Sequence, residues 1–229
     1  MTKRPRDTRR PAHRPTHRPT RHPASTRDAL ARAAFRAAPL CLLVYGVIRL
    51  SDTDRGPDLA WTVGHLFMLS AVLLFAAVLT GLHRLTVPTP ATASQAARLG
   101  AGAGLSLGLT GALALTVQGV IDLVVGLRAA DRPEMQRLFE EVQSHPGVMP
   151  AVYTVGPLLF YVGLLWLTVQ PALRRRIGAW CPVVLFLGIA AMTVSLDLLP
   201  LGALLFGAAL APLARALPSP AGAAGHPLG

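Results

Sequence analysis

Charged side chains are scarce in this 229-residue chain: Asp, Glu, Lys and Arg make up 14% of it, where soluble domains carry roughly a quarter. A water-soluble surface of ordinary composition is thereby excluded. The 52% of hydrophobic residues and a mean hydropathy of +0.47 point instead to an integral membrane protein. Cysteine is nearly absent. Cys41 and Cys181 lie in separate apolar segments with no CxxC or Cys/His spacing, which excludes a disulfide framework and a zinc site and leaves two small buried side chains. A cleavable signal peptide is also not expected, because the opening basic region is too long and no small-residue site follows a short apolar core. Acidic residues are half as numerous as basic ones, 11 against 22, giving a net charge of +11. Eleven of those 22 basic residues fall within the first 36 positions, so the charge belongs to a tail and specific nucleic-acid binding is not indicated.

That tail, residues 1–28, alternates Arg, Pro, Thr and His, as in RRPAHRPTHRPTRHPAS. Closely spaced prolines prevent helix and no apolar core is available, so disorder is expected, as it is for residues 218–229. His13, His17 and His22 follow an RPTH-like repeat and read as solvated. Each Lys or Arg held near an anionic leaflet contributes about 1 kcal/mol, so the tail should lie along the anionic lipids of the inner membrane surface.

What is abundant is apolar sequence in lengths that cross a bilayer. Six spans are expected, at about 34–50, 59–82, 102–127, 151–171, 178–196 and 199–216, giving an all-α, polytopic transmembrane helical bundle. The last two should form a tight hairpin whose turn, SLDLLPLG, is broken by Pro200 and permitted by Gly202. A cytoplasmic tail puts Arg84, Arg98, the triplet Arg174–Arg176 and Arg215 inside as well. Outside then fall Asp52, Asp54, Asp58, Asp131, Glu134, Glu140 and Glu141, with only Arg49, Arg55, Arg128, Arg132 and Arg137 among the basic residues. Both termini are therefore expected in the cytoplasm of a plasma-membrane protein. The longest outer loop carries DRPEMQRLFEEVQSHPG. Asp131, Pro133 and Glu134 announce a capped helix over about 131–144, with Met135, Leu138, Phe139 and Val142 on one face.

Polar residues inside the spans are few, and they share a depth. Asp122 interrupts TVQGVIDLVVGL about six residues, or roughly 9 Å, from the outer end of its span. Gln118 sits one turn deeper on the same face. His65, in TVGHLFML, lies at a similar depth, Asp197 is at the outer turn of the last hairpin, and Tyr45 and Tyr153 occupy the same outer half. A charge at mid-bilayer costs about 2.5–3.5 kcal/mol on insertion scales, so a retained carboxylate should face a partner or water. His65, Gln118, Asp122 and Asp197 accordingly form a candidate intramembrane polar pocket; the alternative is that they only fix helix packing.

Other motifs carry less. Gly100, Gly104 and Gly108 recur every fourth residue and predict close helix approach. The same stretch spells Gly104-Leu105-Ser106-Leu107-Gly108, but a hydrolase elbow needs a strand-to-helix turn that nothing here provides. His65 and His83 lie at opposite ends of one helix and cannot share a haem iron. No cofactor and no catalytic constellation are indicated.

The stretch DLAWTVGHLFMLSAVLLFAAVLTGLHRL resembles the early spans of small multi-pass membrane proteins of high-GC actinobacteria, a group that supplies no established activity to carry over. The sequence favours a non-enzymatic envelope scaffold, sensor or partner subunit, acting with a membrane protein partner or as a homo-oligomer. A small proton-linked transporter using the pocket at Asp122 is the alternative.

Overall fold

The computed structural model describes residues 24–87 and 95–217, with side chains from residue 29 onward. Most of the expected N-terminal tail and all of the C-terminal one lie outside the described residues. Every regular element among the described residues is helical. In chain order they are α1 (Ala24–Ser51), α2 (Leu59–Thr86), α3 (Gln95–Arg128), α4 (Arg132–Ser144), a π-helical segment (Met149–Val155), α5 (Gly156–Leu173), α6 (Trp180–Val194), a single 3-10 turn (Leu196–Leu198) and α7 (Leu199–Ala216). Helix α1 starts inside the range assigned to the tail, at Ala24.

Five segments are long and apolar enough to cross a membrane: Ala29–Ser51, Leu59–Thr86, Gln95–Arg128, Met149–Leu173 and Leu196–Ala216. The remaining expected span is shorter. Helix α6 has 15 residues, a rise of about 22 Å against a hydrocarbon thickness of about 30 Å. Outward faces are largely apolar: Leu113, Val117, Val120 and Val124 on α3, Leu158 and Val162 on α5, and Val183, Phe186 and Leu187 on α6 are all exposed. Such a surface suits hydrocarbon rather than water.

Helix ends obey local chemistry. Asp58 caps α2 by accepting from the Trp61 amide at 2.8 Å. Asp131 caps α4 through the Glu134 amide at 2.8 Å, and Glu134 reaches back to the Ala130 amide at 2.9 Å. The carboxyl end of α2 is closed by a different device. Arg174 donates to the Thr86 carbonyl and Arg176 to the Leu85 carbonyl at 2.9 Å, so two members of the arginine triplet neutralise the negative end of the α2 dipole.

Helix α2 packs between α1 and α3, α3 packs on α5, and α1 packs on α7, which carries α6. Phe35, Leu79, Leu164, Leu167, Phe206 and Leu210 fill the centre. The α3–α5 seam is the closest. A Cβ on Gly163 would strike the Gly108 backbone, and one on Gly111 would strike the backbone of Phe160, with Gly156 O at 2.6 Å. Gly104 faces Trp166 and Leu167. Gly100 is looser: its carbonyl accepts from Trp166 Nε1 at 2.8 Å, and its missing Cβ would make only van der Waals contact.

At the α6–α7 hairpin, Ser195 accepts from the Asp197 amide at 3.1 Å and Pro200 enters the first turn of α7. Gly202 does not make the turn. It lies inside α7, where a Cβ would meet Gly188 O of α6 at 3.0 Å, so its function is close packing rather than backbone freedom.

Gly111→Ala should therefore lower unfolding stability in detergent by about 1–3 kcal/mol or more, since the obstacle is backbone that cannot rotate away. Gly102→Ala, which meets nothing within 4 Å, should change it by less than about 1 kcal/mol in the stabilising direction. Thermal unfolding followed by circular dichroism distinguishes the two.

Candidate functional site

The buried ionisable residues of the spans, His65 and Asp122, lie at the end of the bundle that α4 covers. Their placement begins with Asp58, which fixes the first turn of α2 and hence the depth of Trp61 and, one turn on, His65. Trp61 Nε1 donates to the Asp122 carbonyl at 3.0 Å, locking α2 to α3 at this level. Phe139 of α4 packs on Trp61 with ring centroids 6.0 Å apart, and Met135 of the same helix is buried. The amphipathic helix thus rests on the bundle end, above the site.

His65 and Asp122 are both buried, with 5% and 7% of their surface exposed. The imidazole lies between Trp61, 4.1 Å away between centroids, and the edge of Tyr45 at 5.4 Å. His65 Nδ1 lies 2.8 Å from the Trp61 carbonyl, an acceptor, so this nitrogen carries the proton and donates. Nε2 then faces Asp122 Oδ2 at 3.8 Å, in electrostatic contact but beyond hydrogen-bonding distance. A proton on either group turns that contact from lone-pair repulsion into attraction. Among the described residues, the Asp122 carboxylate accepts no hydrogen bond.

Beside Asp122 opens a cleft of about 570 Å³, bounded by α1, α2, α3, the π-helical segment, α5, α6 and α7. Gln118 and Asp122 line it from α3, and Tyr153 and Thr154 from the π-helical segment. All three tyrosines of the chain, Tyr45, Tyr153 and Tyr161, are on its wall. Its far end is closed by Phe75, which meets Phe160 and Phe206 edge-on at 5.6 and 5.8 Å. Beside Asp122 on α3, Gln118 Oε1 is buried without a hydrogen-bond partner among the described residues, while across the cleft the Tyr153 hydroxyl has the Gln143 side chain within reach. Buried polar atoms in native proteins are nearly always satisfied, so an orphan acceptor next to an unbonded carboxylate sets the α3 wall apart from ordinary packing.

The local backbone has an evident cause. Pro150 lies in the first turn of the π-helical segment and Pro157 in the first turn of α5, and the Gly156 amide bonds to the Ala151 carbonyl five residues back. Pro157 has no amide to complete the ladder, and the widened turn carries Tyr153 into the cleft.

Of the four predicted pocket residues, Gln118 and Asp122 line the cleft, His65 contacts Asp122 from a neighbouring cavity, and Asp197 stands apart. Asp197 pairs with Arg55 at 3.0 Å on the surface, with half of its side chain exposed, and lines no part of the cleft. Arg55 reaches it from a tight turn in the left-handed region, φ 47°, whose amide donates to Asp52 Oδ1 at 2.8 Å. No group of three His, Cys, Asp or Glu side chains able to hold a metal ion occurs among the described residues. Tyr161, Phe75 and Phe206 were not singled out from sequence; the usable signal was the rarity of tyrosine, since all three cluster here. Comparison with protein-family models, curated proteins and solved structures gave no match for this chain.

The surface location of Asp197 has a measurable corollary. Asp197→Asn should change stability by less than about 1 kcal/mol, as exposed ion pairs do, and the loss should shrink further at high salt in a denaturation series.

Proposed function

We propose that this protein is a multi-pass plasma-membrane protein that takes a small molecule into the cleft at Asp122, acting as a carrier or intramembrane receptor. One observation carries the reading: the Asp122 carboxyl and Gln118 Oε1 stand one helical turn apart on the α3 wall of the cleft, and among the described residues neither has a hydrogen bond from the protein. A purely structural polar cluster would be satisfied internally, because each unpaired buried group costs about 1–3 kcal/mol. A binding wall keeps its donors and acceptors free for the ligand.

The distribution of charge supports an orientation with the cleft's polar end outward and both termini in the cytoplasm. The carboxylates of residues 52–58 and of α4 surround that end, while Arg84 and Arg174–Arg176 sit at the other. The His65–Asp122 contact supplies an exchangeable proton beside the ligand, which suits proton-linked movement better than scaffolding.

Cysteine accessibility tests this reading. In a background carrying Cys41→Ala and Cys181→Ala, Gln118→Cys should react with a membrane-impermeant maleimide added outside intact cells. Val117→Cys, adjacent in sequence but on the exposed apolar face, should not. A Gln118→Cys protein that is unreactive from both sides of the membrane would rule out a water-accessible cleft.

A further inference from the structure

The cleft wall is selective in charge. Its 20 lining residues include one carboxylate, Asp122, and no Lys or Arg. Arg49 and Arg55 open instead onto a separate cavity of about 20 Å³, shared with Tyr45 and His65. A phosphate, sulfate or carboxylate head entering the cleft would meet a like charge and no compensating cation, an arrangement that rejects anions.

Acceptors are well represented on the wall. Ionised Asp122 can only accept, and Gln118 offers Oε1 as an acceptor beside the donor of its amide nitrogen. Thr193 already donates to the Ile189 carbonyl at 2.9 Å and Thr154 to the Met149 carbonyl at 3.3 Å, so both hydroxyls have only lone pairs left to offer. The rest of the wall is aromatic and aliphatic. Tyr45, Tyr153, Tyr161, Phe75, Phe160 and Phe206 line the same space, and aromatic rings attract cations over their faces. The volume of about 570 Å³ is that of a site for a drug-sized molecule.

Taking the cleft as the binding site proposed above, we infer that its ligand is a lipophilic organic cation: an ammonium or other onium centre set against Asp122, with an apolar body lying among the aromatic rings. A neutral alcohol could satisfy the acceptors but, with His65 neutral, would bring the buried carboxylate no counter-charge. A cation supplies both.

Two probes of matched shape and opposite charge test this. Tetraphenylphosphonium and tetraphenylborate are dialysed against the full-length protein in nanodiscs of zwitterionic lipid, with empty nanodiscs giving the lipid background. Saturable binding of tetraphenylphosphonium, about one per chain, is expected, and tetraphenylborate should show only the background. Asp122→Asn should weaken phosphonium binding by about ten- to a hundred-fold. Asp122→Glu, which keeps the charge, should retain it within about tenfold, and Asp197→Asn should leave it unchanged. If Asp122→Asn does not fold, protection of Gln118→Cys from maleimide by phosphonium and not by borate provides the same answer. Equal binding of both probes, or phosphonium binding that survives in a folded Asp122→Asn protein, overturns the cation assignment. So does an absence of phosphonium binding in a protein whose Gln118→Cys variant is readily labelled, an outcome that leaves the cleft itself standing. An unlabelled Gln118→Cys removes both readings together.

Discussion

The arrangement of this molecule depends on backbone meeting backbone between α3 and α5. Where Gly108 faces Gly163 and Gly111 faces Phe160, no side chain separates the two helices. Contact that close is the main source of cohesion open to helices in lipid, since hydrocarbon gives little hydrophobic drive for one apolar helix to leave it for another. The seam also sets the geometry of everything beyond it. Gln118 and Asp122 continue α3 past the glycines, while Tyr153 and Phe160 belong to the facing strand of chain, so the two walls of the cleft are brought opposite each other by the seam between them.

Against that rigid seam stands a group the fold does little to satisfy. Asp122 is buried, in contact with His65 but not bonded to it, and the only strong bond at this position, from Trp61, goes to the main-chain carbonyl. The indole therefore holds the helix in place and leaves the carboxyl free. Trp61 is in turn held by the Asp58 cap below its amide and by Phe139 of α4 across its ring. A capped turn, an amphipathic helix and an indole all serve to position one side chain whose oxygens accept nothing from the protein among the described residues. Folding energy has been spent on orientation rather than on neutralisation.

Reading the sequence went furthest where physics is local. Helix existence, the cap at Asp131, the close approach at Gly104 and Gly108, and the shared depth of His65, Gln118 and Asp122 follow from hydropathy, capping chemistry and a rise of about 1.5 Å per residue. What depended on the rotation of one helix against another was not legible. Asp197 has the right depth but turns to Arg55 at the surface. Gly202 has the composition of a turn but is used for contact with α6. The aromatic end of the cleft, Phe75 with Phe160 and Phe206, draws on three helices far apart in sequence. The arginine triplet carried a topological meaning in the sequence, and the structure adds a second one, as two of its members close the end of α2.

The widened turn between Pro150 and Pro157 has one more consequence. A π-helical turn contains one residue more than an α-helical turn, so the chain on either side is out of register by about 100° with respect to a continuous helix. Tyr153 and Thr154 point where they do because of that single surplus residue. Were it to migrate along the segment, the tyrosine would swing away from Asp122 while α5 stayed seated on its glycines. The inner surface could thus be re-dressed residue by residue without dismantling the scaffold that carries it.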